Sequence, residues 1–188
     1  MNIEEKISAY RLSLSEALQL PAMENVPKLG HDLLEAWRHK KTIYLCGNGG
    51  SAGNAIHIAN DFIYGAGIAN GIGLRIEALS SNQAVITCLG NDIGYDKIYS
   101  EQLRVKGNPG DILIALSGSG NSPNIISAIE MANKQGMITH AILGFSGGKC
   151  KEIAHNPIHF AIDDMQIAED LQLIICHICM QWLSVQKI

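Results

Sequence analysis

The chain has 188 residues, of which 47% are hydrophobic and only 17% are charged, and its formal net charge is −4. This length is typical of one domain around one core. The charged fraction lies below the ~25% of an average protein, so we expect part of the surface to be covered by further copies of the chain. The negative charge argues against a nucleic acid or an anionic membrane as the main partner.

The cysteines and the chain start indicate a reducing compartment. The cysteines are odd in number and four lie in strongly apolar sequence, which is typical of buried thiols rather than a disulfide framework; they are Cys46, Cys88, Cys150, Cys176 and Cys179. Residues 1–10 lack the basic and apolar regions of a signal peptide, and the longest apolar run, near 171–183, is interrupted by Gln172 and His177. We therefore expect a cytoplasmic protein without a membrane span.

Two helices are predicted at the start of the chain. Apolar residues recur at helical spacing over 2–20, Pro21 ends that pattern, and a second helix contains Leu29, Leu33, Leu34 and Trp37. From residue 42 onward the chain changes to short apolar runs between Gly and Ser turns. These runs predict strands at 42–46, 74–79, 111–116, 138–143 and 158–162.

Helical patterns separate the predicted strands. They lie at 51–64, 82–89, 121–134, 149–154 and 166–184. Such alternation is typical of βαβ units with a parallel sheet and right-handed crossovers. The sequence shows no low-complexity linker, charge block or repeat, so we expect one α/β domain with an N-terminal helical pair.

A glycine-rich loop follows the first strand and reads CGNGGSAG over residues 46–53. Open α/β sheets bind ligands beyond the carboxyl ends of their strands, where backbone N–H groups and a helix N-terminus attract phosphate. The loop matches neither G-x-G-x-x-G nor G-x-x-x-x-G-K-[ST], which argues against a dinucleotide or triphosphate site. It is either a ligand-binding loop or only a tight turn.

A serine-rich loop, SGSGNSP over 117–123, follows the third strand and leads into a helix with Pro in its first turn. Serine hydroxyls and N-terminal amides can hold a monophosphate without Lys or Arg. Ser122 alone could be a helix N-cap, but that role does not account for Ser117 and Ser119. The two loops together favour a sugar-phosphate pocket.

Two imidazoles and two carboxylates lie at helical spacing. His57 and Asp61 are four residues apart and share a helix face. Glu169 and His177, eight apart on the last helix, lie within roughly 80° of each other around its axis. The four side chains could form a tetrahedral metal site. Alternatively, they are partly buried histidines and surface carboxylates.

Two further motifs admit simpler interpretations. Cys176 and Cys179 form C-x-x-C without a second pair, so we expect inert apolar thiols. Gly90-Asn91-Asp92, followed by Gly94-Tyr95, is either a plain turn or a rim that brings the Asp92 carboxylate to sugar hydroxyls. The other histidines lie on no such pattern and are interpreted as structural: His31, His39, His140, His155 and His159.

Together, CGNGGSAGNAIH, LGNDIGYDKIYSEQL, GNPGDILIALSGSGNSPNIISAIEMA and the closing helix with His177 resemble the sugar isomerase (SIS) domain family. Within it, residues 1–184 resemble the phosphoheptose isomerases. The resemblance implies a three-layer, flavodoxin-like fold with a five-stranded parallel sheet, one SIS domain over 1–188, and a homotetramer in which residues 1–40 pack on the domain and between subunits. It also implies zinc-dependent interconversion of sedoheptulose 7-phosphate with an aldose.

The resemblance also implies roles for individual residues. The substrate and its phosphate would contact Asn48, Gly49, Ser51, Asp92, Ser117, Gly118, Ser119, Ser122 and Glu169. Asp61 and His177 match the catalytic pair. One divalent metal ion, Zn²⁺, would be held by His57, Asp61, Glu169 and His177.

Some positions differ from the usual residues of the phosphoheptose isomerases. Asp61 replaces a Glu, Glu169 a Gln, Gly65 an Arg, and Gly118 the Thr of a Ser-Thr-Ser loop. These changes concern the choice of sugar more than phosphate capture. A sugar-phosphate isomerase is therefore favoured. The alternative is a non-catalytic protein of the same fold that binds a sugar phosphate or docks a partner, as does a replication regulator of this family that lacks the catalytic carboxylate and imidazole.

Overall fold

A computed structural model describes residues 2–188 and contains an all-parallel sheet with the strand order β2-β1-β3-β4-β5. The strands are β1 (Thr42–Cys46), β2 (Arg75–Ala78), β3 (Ile112–Ser117), β4 (Ile138–Leu143) and β5 (Asn156–His159). This arrangement confirms the prediction of a five-stranded parallel sheet.

Helices cover both faces of the sheet. They are α1 (Ile3–Ala17), α2 (Val26–Arg38), α3 (Gly50–Asn60), α4 (Gln83–Asp92), α5 (Ser100–Lys106), α6 (Pro123–Lys134), α7 (Gly148–Ile153) and α8 (Met165–Leu183). Short 3₁₀ turns lie at Pro21–Asn25 and Tyr95–Lys97. Over residues 2–188, no helix combines the length and the apolar character needed to cross a bilayer.

The side chains of β1 divide between two apolar layers, because successive residues of a strand point to opposite faces. Ile43 and Leu45 pack with residues of α2, α3 and α8. Tyr44 and Cys46 pack on the other face, with residues of α5 and α6. The predicted three-layer arrangement is therefore confirmed.

Helix α1 starts with a capping box, and apolar side chains in its first two turns are exposed. The backbone N–H of Glu5 donates to Oδ1 of Asn2 at 2.8 Å, and Oε2 of Glu5 accepts from the Asn2 N–H at 2.9 Å. The Tyr10 hydroxyl donates to the Asp170 carboxylate at 2.5 Å and so joins α1 to α8. Ile3, however, is 65% exposed, as is about half of Ile7.

Two element bounds and one additional helix differ most from the sequence prediction. The fourth helix was predicted to end at 89, but it continues to Asp92, so Gly90–Asp92 is a helical turn rather than a loop. The last strand, predicted at 158–162, is Asn156–His159; Pro157 is tolerated there because β5 is an edge strand. Helix α5, which was not predicted, has only seven residues, too few for a clear periodic pattern.

The helix predicted over 51–64 changes character at the candidate catalytic carboxylate. Asp61–Gly65 is a π-turn, in which the Ala66 N–H donates to the carbonyl of Asp61 at 3.1 Å. A π-turn inserted at the end of a helix is common at functional sites. Asp61 thus occupies the junction between α3 and this turn.

Candidate active site

A cavity of about 280 Å³ lies between the loops that follow β1 and β3. These two strands are neighbours, but the chain leaves them in opposite directions, toward β2 and β4. Ligands of open α/β sheets bind at such a switch point. The lining residues are Asn48, Gly49, Gly50, Ser51, Leu116, Ser117, Gly118, Ser119, Ser122, Met165 and Glu169.

The serine loop contributes three hydroxyls to this cavity. Ser117 Oγ accepts from the Gly120 N–H at 3.1 Å, and Ser119 Oγ accepts from the Asn121 N–H at 3.2 Å. Ser122 occupies the N-cap position of α6, yet its side chain makes no capping hydrogen bond. Ser122 is therefore the N-cap residue by position, but its hydroxyl does not satisfy the helix end.

A side chain at Gly118 would meet the flexible thioether of Met165. A Cβ built on it would lie 2.5 Å from Sδ of Met165, the first residue of α8. The family's threonine at this position would therefore displace Met165. This close contact links the serine loop to the helix that bears Glu169 and His177.

The loop after β1 turns sharply into α3. Gly49 has φ +54°, a left-handed conformation that glycine adopts without strain. The buried Tyr99 hydroxyl donates a short hydrogen bond to the carbonyl of Gly47. Ser51 is buried, and its Oγ accepts from Gln172 Nε2 at 3.0 Å. The loop is thereby fixed to the residue that precedes α5 and to α8.

Two residues that sequence reasoning missed hold this loop from elsewhere in the chain. Asn124 makes a reciprocal pair of amide hydrogen bonds with Asn48, at 2.7 and 2.8 Å. Gln172, besides binding Ser51, accepts from Asn54 Nδ2 at 3.0 Å. Neither contact has a local sequence signal, because Asn48 and Asn124 are 76 positions apart and Ser51 and Gln172 are 121 positions apart.

Three of the four predicted metal ligands form one cluster. The Nε2 atoms of His57 and His177 are 3.2 Å apart, and Asp61 Oδ2 lies 3.4 Å from the first and 3.1 Å from the second. Ligand atoms held tetrahedrally by Zn²⁺ at about 2.0–2.1 Å would be about 3.3 Å from one another. The three side chains therefore fit a divalent metal by both chemistry and spacing, and the shorter Asp61 side chain reaches both imidazoles.

Glu169 is not part of this three-residue cluster. Its carboxylate instead faces Gly50 at the start of α3, with both oxygens 2.4 Å from where a Cβ would be. The expectation of four ligands in one place considered only the angle around α8, whereas eight residues also advance about 12 Å along a helix axis. The structure brings Glu169 into the cavity, and its role as a fourth ligand stays a prediction.

Asp92 is also not brought into the cavity. It ends α4, where it is exposed, and its carboxylate accepts from Asn91 Nδ2 at 2.8 Å and from the Cys88 thiol at 3.5 Å. Its predicted contact with sugar hydroxyls is therefore not supported by its position. The reason is the extra helical turn that carries Gly90–Asp92.

The two cysteines of the C-x-x-C motif are buried among apolar side chains. Burial raises the pKa of Cys176 well above its usual value and that of Cys179 to about 12. A thiol with such a pKa is a poor nucleophile at neutral pH. The prediction of inert thiols is consistent with this environment.

Comparisons with known proteins agree with the fold and the motifs. A model of the SIS domain matches residues 9–144. The phosphoheptose isomerase of Akkermansia muciniphila is 36% identical over 156 residues, which cover 83% of this chain and 80% of the relative. That of Helicobacter pylori strain P12 is 32% identical over 176 residues, which cover 94% of this chain and 91% of the relative.

Solved structures show the same similarity over nearly the whole chain. A phosphoheptose isomerase from Francisella tularensis superimposes with a TM-score of 0.90 at 25% identity, covering 99% of this chain and 100% of that one. The enzyme from Neisseria gonorrhoeae gives a TM-score of 0.87 at 27% identity, covering 97% and 98%.

Proposed function

The chain belongs to the SIS-domain phosphoheptose isomerases and is therefore a phosphosugar isomerase, and on that premise we propose that it interconverts sedoheptulose 7-phosphate and glycero-manno-heptose 7-phosphate. One observation supports this most strongly. Asp61, at the end of α3, and His177, on α8, lie 3.1 Å apart, and the cavity lined by Ser117, Ser119 and Ser122 is also lined by the first residues of these two helices. Proton transfer and phosphate binding can thus occur within one site.

The phosphate would bind at the serine loop. Ser119 and Ser122 present hydroxyls at the start of α6, whose N-terminal N–H groups also favour an anion. This anchor would direct the other end of the open-chain sugar past Asn48, Gly49 and Ser51. The carbonyl end would then approach His57, Asp61 and His177.

The reaction moves one proton between two neighbouring carbons. From the ketose, a base removes a proton from C1 and the oxygen on C2 gains one, which gives an enediol. The enediol is protonated at C2 while the hydroxyl on C1 loses its proton and becomes the aldehyde. Asp61 and His177 are the groups in reach to serve as base and acid.

We propose that one divalent ion, Zn²⁺, is held by His57, Asp61 and His177, with Glu169 as a further ligand. The spacing of the three clustered ligand atoms supports this. When bound, such an ion polarises a substrate carbonyl and lowers the pKa of an attached hydroxyl. The two imidazoles and the carboxylate then have to divide metal binding and proton transfer between them.

We also propose that the whole chain is one domain that assembles as a cytoplasmic homotetramer, with residues 1–40 between subunits. The exposed Ile3 and Ile7 on α1 support this, because apolar side chains on one helix face gain stability when another subunit covers them.

A coupled assay with sedoheptulose 7-phosphate, with metal analysis of the freshly purified protein, tests the proposed function. We expect turnover that is lost on chelation and restored by Zn²⁺. Binding without turnover of pentose, hexose and heptose phosphates, in a protein free of metal, would contradict the enzyme and favour a sugar-phosphate-binding protein.

A further inference from the structure

The side chain of Asn48 is held by two side chains from other segments. Its Nδ2 donates to Asn124 Oδ1 at 2.8 Å, and its Oδ1 accepts from Asn124 Nδ2 at 2.7 Å and from the Tyr95 hydroxyl at 3.3 Å. Asn124 lies in the first turn of α6 and is only 1% exposed. The amide pair therefore joins the loop after β1 to the helix that follows the serine loop.

These contacts leave Asn48 with one unused hydrogen-bonding group. A primary amide has two N–H donors and an oxygen with two acceptor positions. Tyr95 and Asn124 use both acceptor positions, and Asn124 uses one donor. Over residues 2–188, the second N–H has no hydrogen-bond partner, and Asn48 lines the cavity. In this arrangement Asn48 can donate to a ligand but cannot accept from it.

We propose that Asn124 and Tyr95 are positioning residues that hold the Asn48 amide as a donor toward a lone pair of the bound sugar phosphate. The identity of the ligand rests on the proposed function. The fixed N–H suits a carbonyl, phosphoryl or hydroxyl oxygen that presents a lone pair to the loop after β1. A ligand that presents only an O–H proton there finds no acceptor on this side chain.

Asn124 would act in two ways. It prevents the Asn48 amide from rotating, so that no rotamer freedom is lost when the ligand binds. It also keeps the loop after β1 at a fixed distance from the serine loop, since each amide contributes both a donor and an acceptor. Removing Asn124 should thus weaken a contact made by Asn48, although Asn124 itself is buried beneath the cavity.

A double-mutant cycle distinguishes this role from a general effect on folding. Asn48→Ala, Asn124→Ala and the double variant are compared by the Kd for sedoheptulose 7-phosphate, measured by calorimetry, and by KM and kcat. We expect each single change to weaken binding about 3- to 10-fold, the effect of about one hydrogen bond. In the Asn48→Ala background, Asn124→Ala should change Kd by less than about 2-fold. Additive losses would overturn the proposal.

Tyr95→Phe gives a second test that does not disturb the core, because Tyr95 is 57% exposed. It should raise KM more than it lowers kcat, and this effect should also disappear in the Asn48→Ala background. An unchanged KM would overturn the role of Tyr95. Asn133→Ala is the matched control on α6, since its side chain bonds to Ile153 and Thr139 away from the cavity. It should lower the melting temperature and leave Kd unchanged.

The readouts separate failure of this proposal from failure of the proposed function. If the wild type binds the sugar phosphate but does not turn it over, the proposed isomerase reaction is wrong. The double-mutant cycle then tests the positioning role through Kd alone. If the wild type does not bind it at millimolar concentration, the positioning of Asn48 for this ligand is wrong as well.

Discussion

The carboxylate of Glu169 lies directly against the Cα of Gly50, so that both of its oxygens are 2.4 Å from the position of a Cβ there. A negative charge therefore occupies the start of α3 within the cavity proposed to hold a phosphate. The phosphoheptose isomerases that the motifs resemble usually have a neutral Gln at this position. Glu169 therefore adds a negative charge to this site.

We expect Glu169→Gln to increase the affinity for inorganic phosphate. Removing a like charge from the cavity should contribute on the order of 1 kcal/mol, or about fivefold in Kd. Calorimetry with phosphate measures this directly. The control is Asp170→Asn, which removes the neighbouring charge on α8 that bonds to Tyr10 and does not line the cavity. Equal affinities for wild type and Glu169→Gln would show that the carboxylate does not oppose the anion.

Ser119→Asp should abolish phosphate binding while the chain still folds. The new carboxylate can accept from the Asn121 N–H as Ser119 now does, but it repels the phosphate oxygens. We expect affinity for sugar phosphates to fall more than about 10-fold, since like charges a few ångströms apart repel strongly. Ser146→Asp, in an exposed loop outside the cavity, is the matched control. Unchanged calorimetric affinity of Ser119→Asp would rule out the serine loop as the anchor.

His177→Gln and Asp61→Asn should each reduce isomerase turnover by about 10²-fold or more, as expected for losing a positioned acid or base. Phosphate binding should persist, because the serine loop is unchanged. Asp61→Glu restores the family's residue and should be tolerated better than Asn. The measurements are kcat with sedoheptulose 7-phosphate and the metal content of each variant. Turnover like the wild type in both His177→Gln and Asp61→Asn would refute this site.

The assembly should depend on the exposed face of α1. Light scattering at micromolar concentration should give the mass of a tetramer for the wild type. Ile7→Glu places a charge on a half-exposed apolar position and should shift the mass toward smaller species. Lys6→Glu, on the adjacent exposed position, controls for charge alone. A monomeric wild type would remove the proposed tetramer.

The Tyr10–Asp170 hydrogen bond should stabilise the fold at neutral pH, and this contribution should be lost at strongly alkaline pH. Burial, and then the Asp170 carboxylate, raise the pKa of Tyr10 from 10.0 to about 12. Because the folded-state pKa is raised, the contribution is full below pH 10 and is lost as the pH rises toward 12. The melting temperature of wild type should thus exceed that of Tyr10→Phe at pH 9, and the difference should shrink by pH 12. A difference that is constant over this range would contradict the assignment.

The sequence was sufficient to predict the sheet and the loops at its carboxyl edge, because apolar runs and glycine turns are local signals. It was also sufficient for His57 and Asp61, whose separation of four residues fixes a shared helix face. It was insufficient for Glu169, where the angle around α8 indicated proximity to His177 but the rise along the axis separated the two. Helix spacing therefore predicts proximity only when the distance along the axis is also short.

The contacts that fix the site were the least predictable. Asn124 and Asn48 are 76 positions apart, and nothing in either local pattern marks them as partners. They meet because β1 and β3 are adjacent in the sheet, which follows from the strand order rather than from either loop. Similarly, the glycines at 90 and 94 suggested a turn, whereas the Asn82 side chain caps a helix that continues past the first of them.

No lysine or arginine is among the residues that line the cavity within the part of the chain that the structure describes. A phosphate held by hydroxyls and backbone dipoles forms no ion pair with a side chain of the lining, so salt has no attractive side-chain charge to screen and should not weaken binding. Departure of the product then requires only hydrogen bonds to be exchanged with water, without separating two opposite charges. Such a site distinguishes a phosphate by the directions of its oxygen lone pairs.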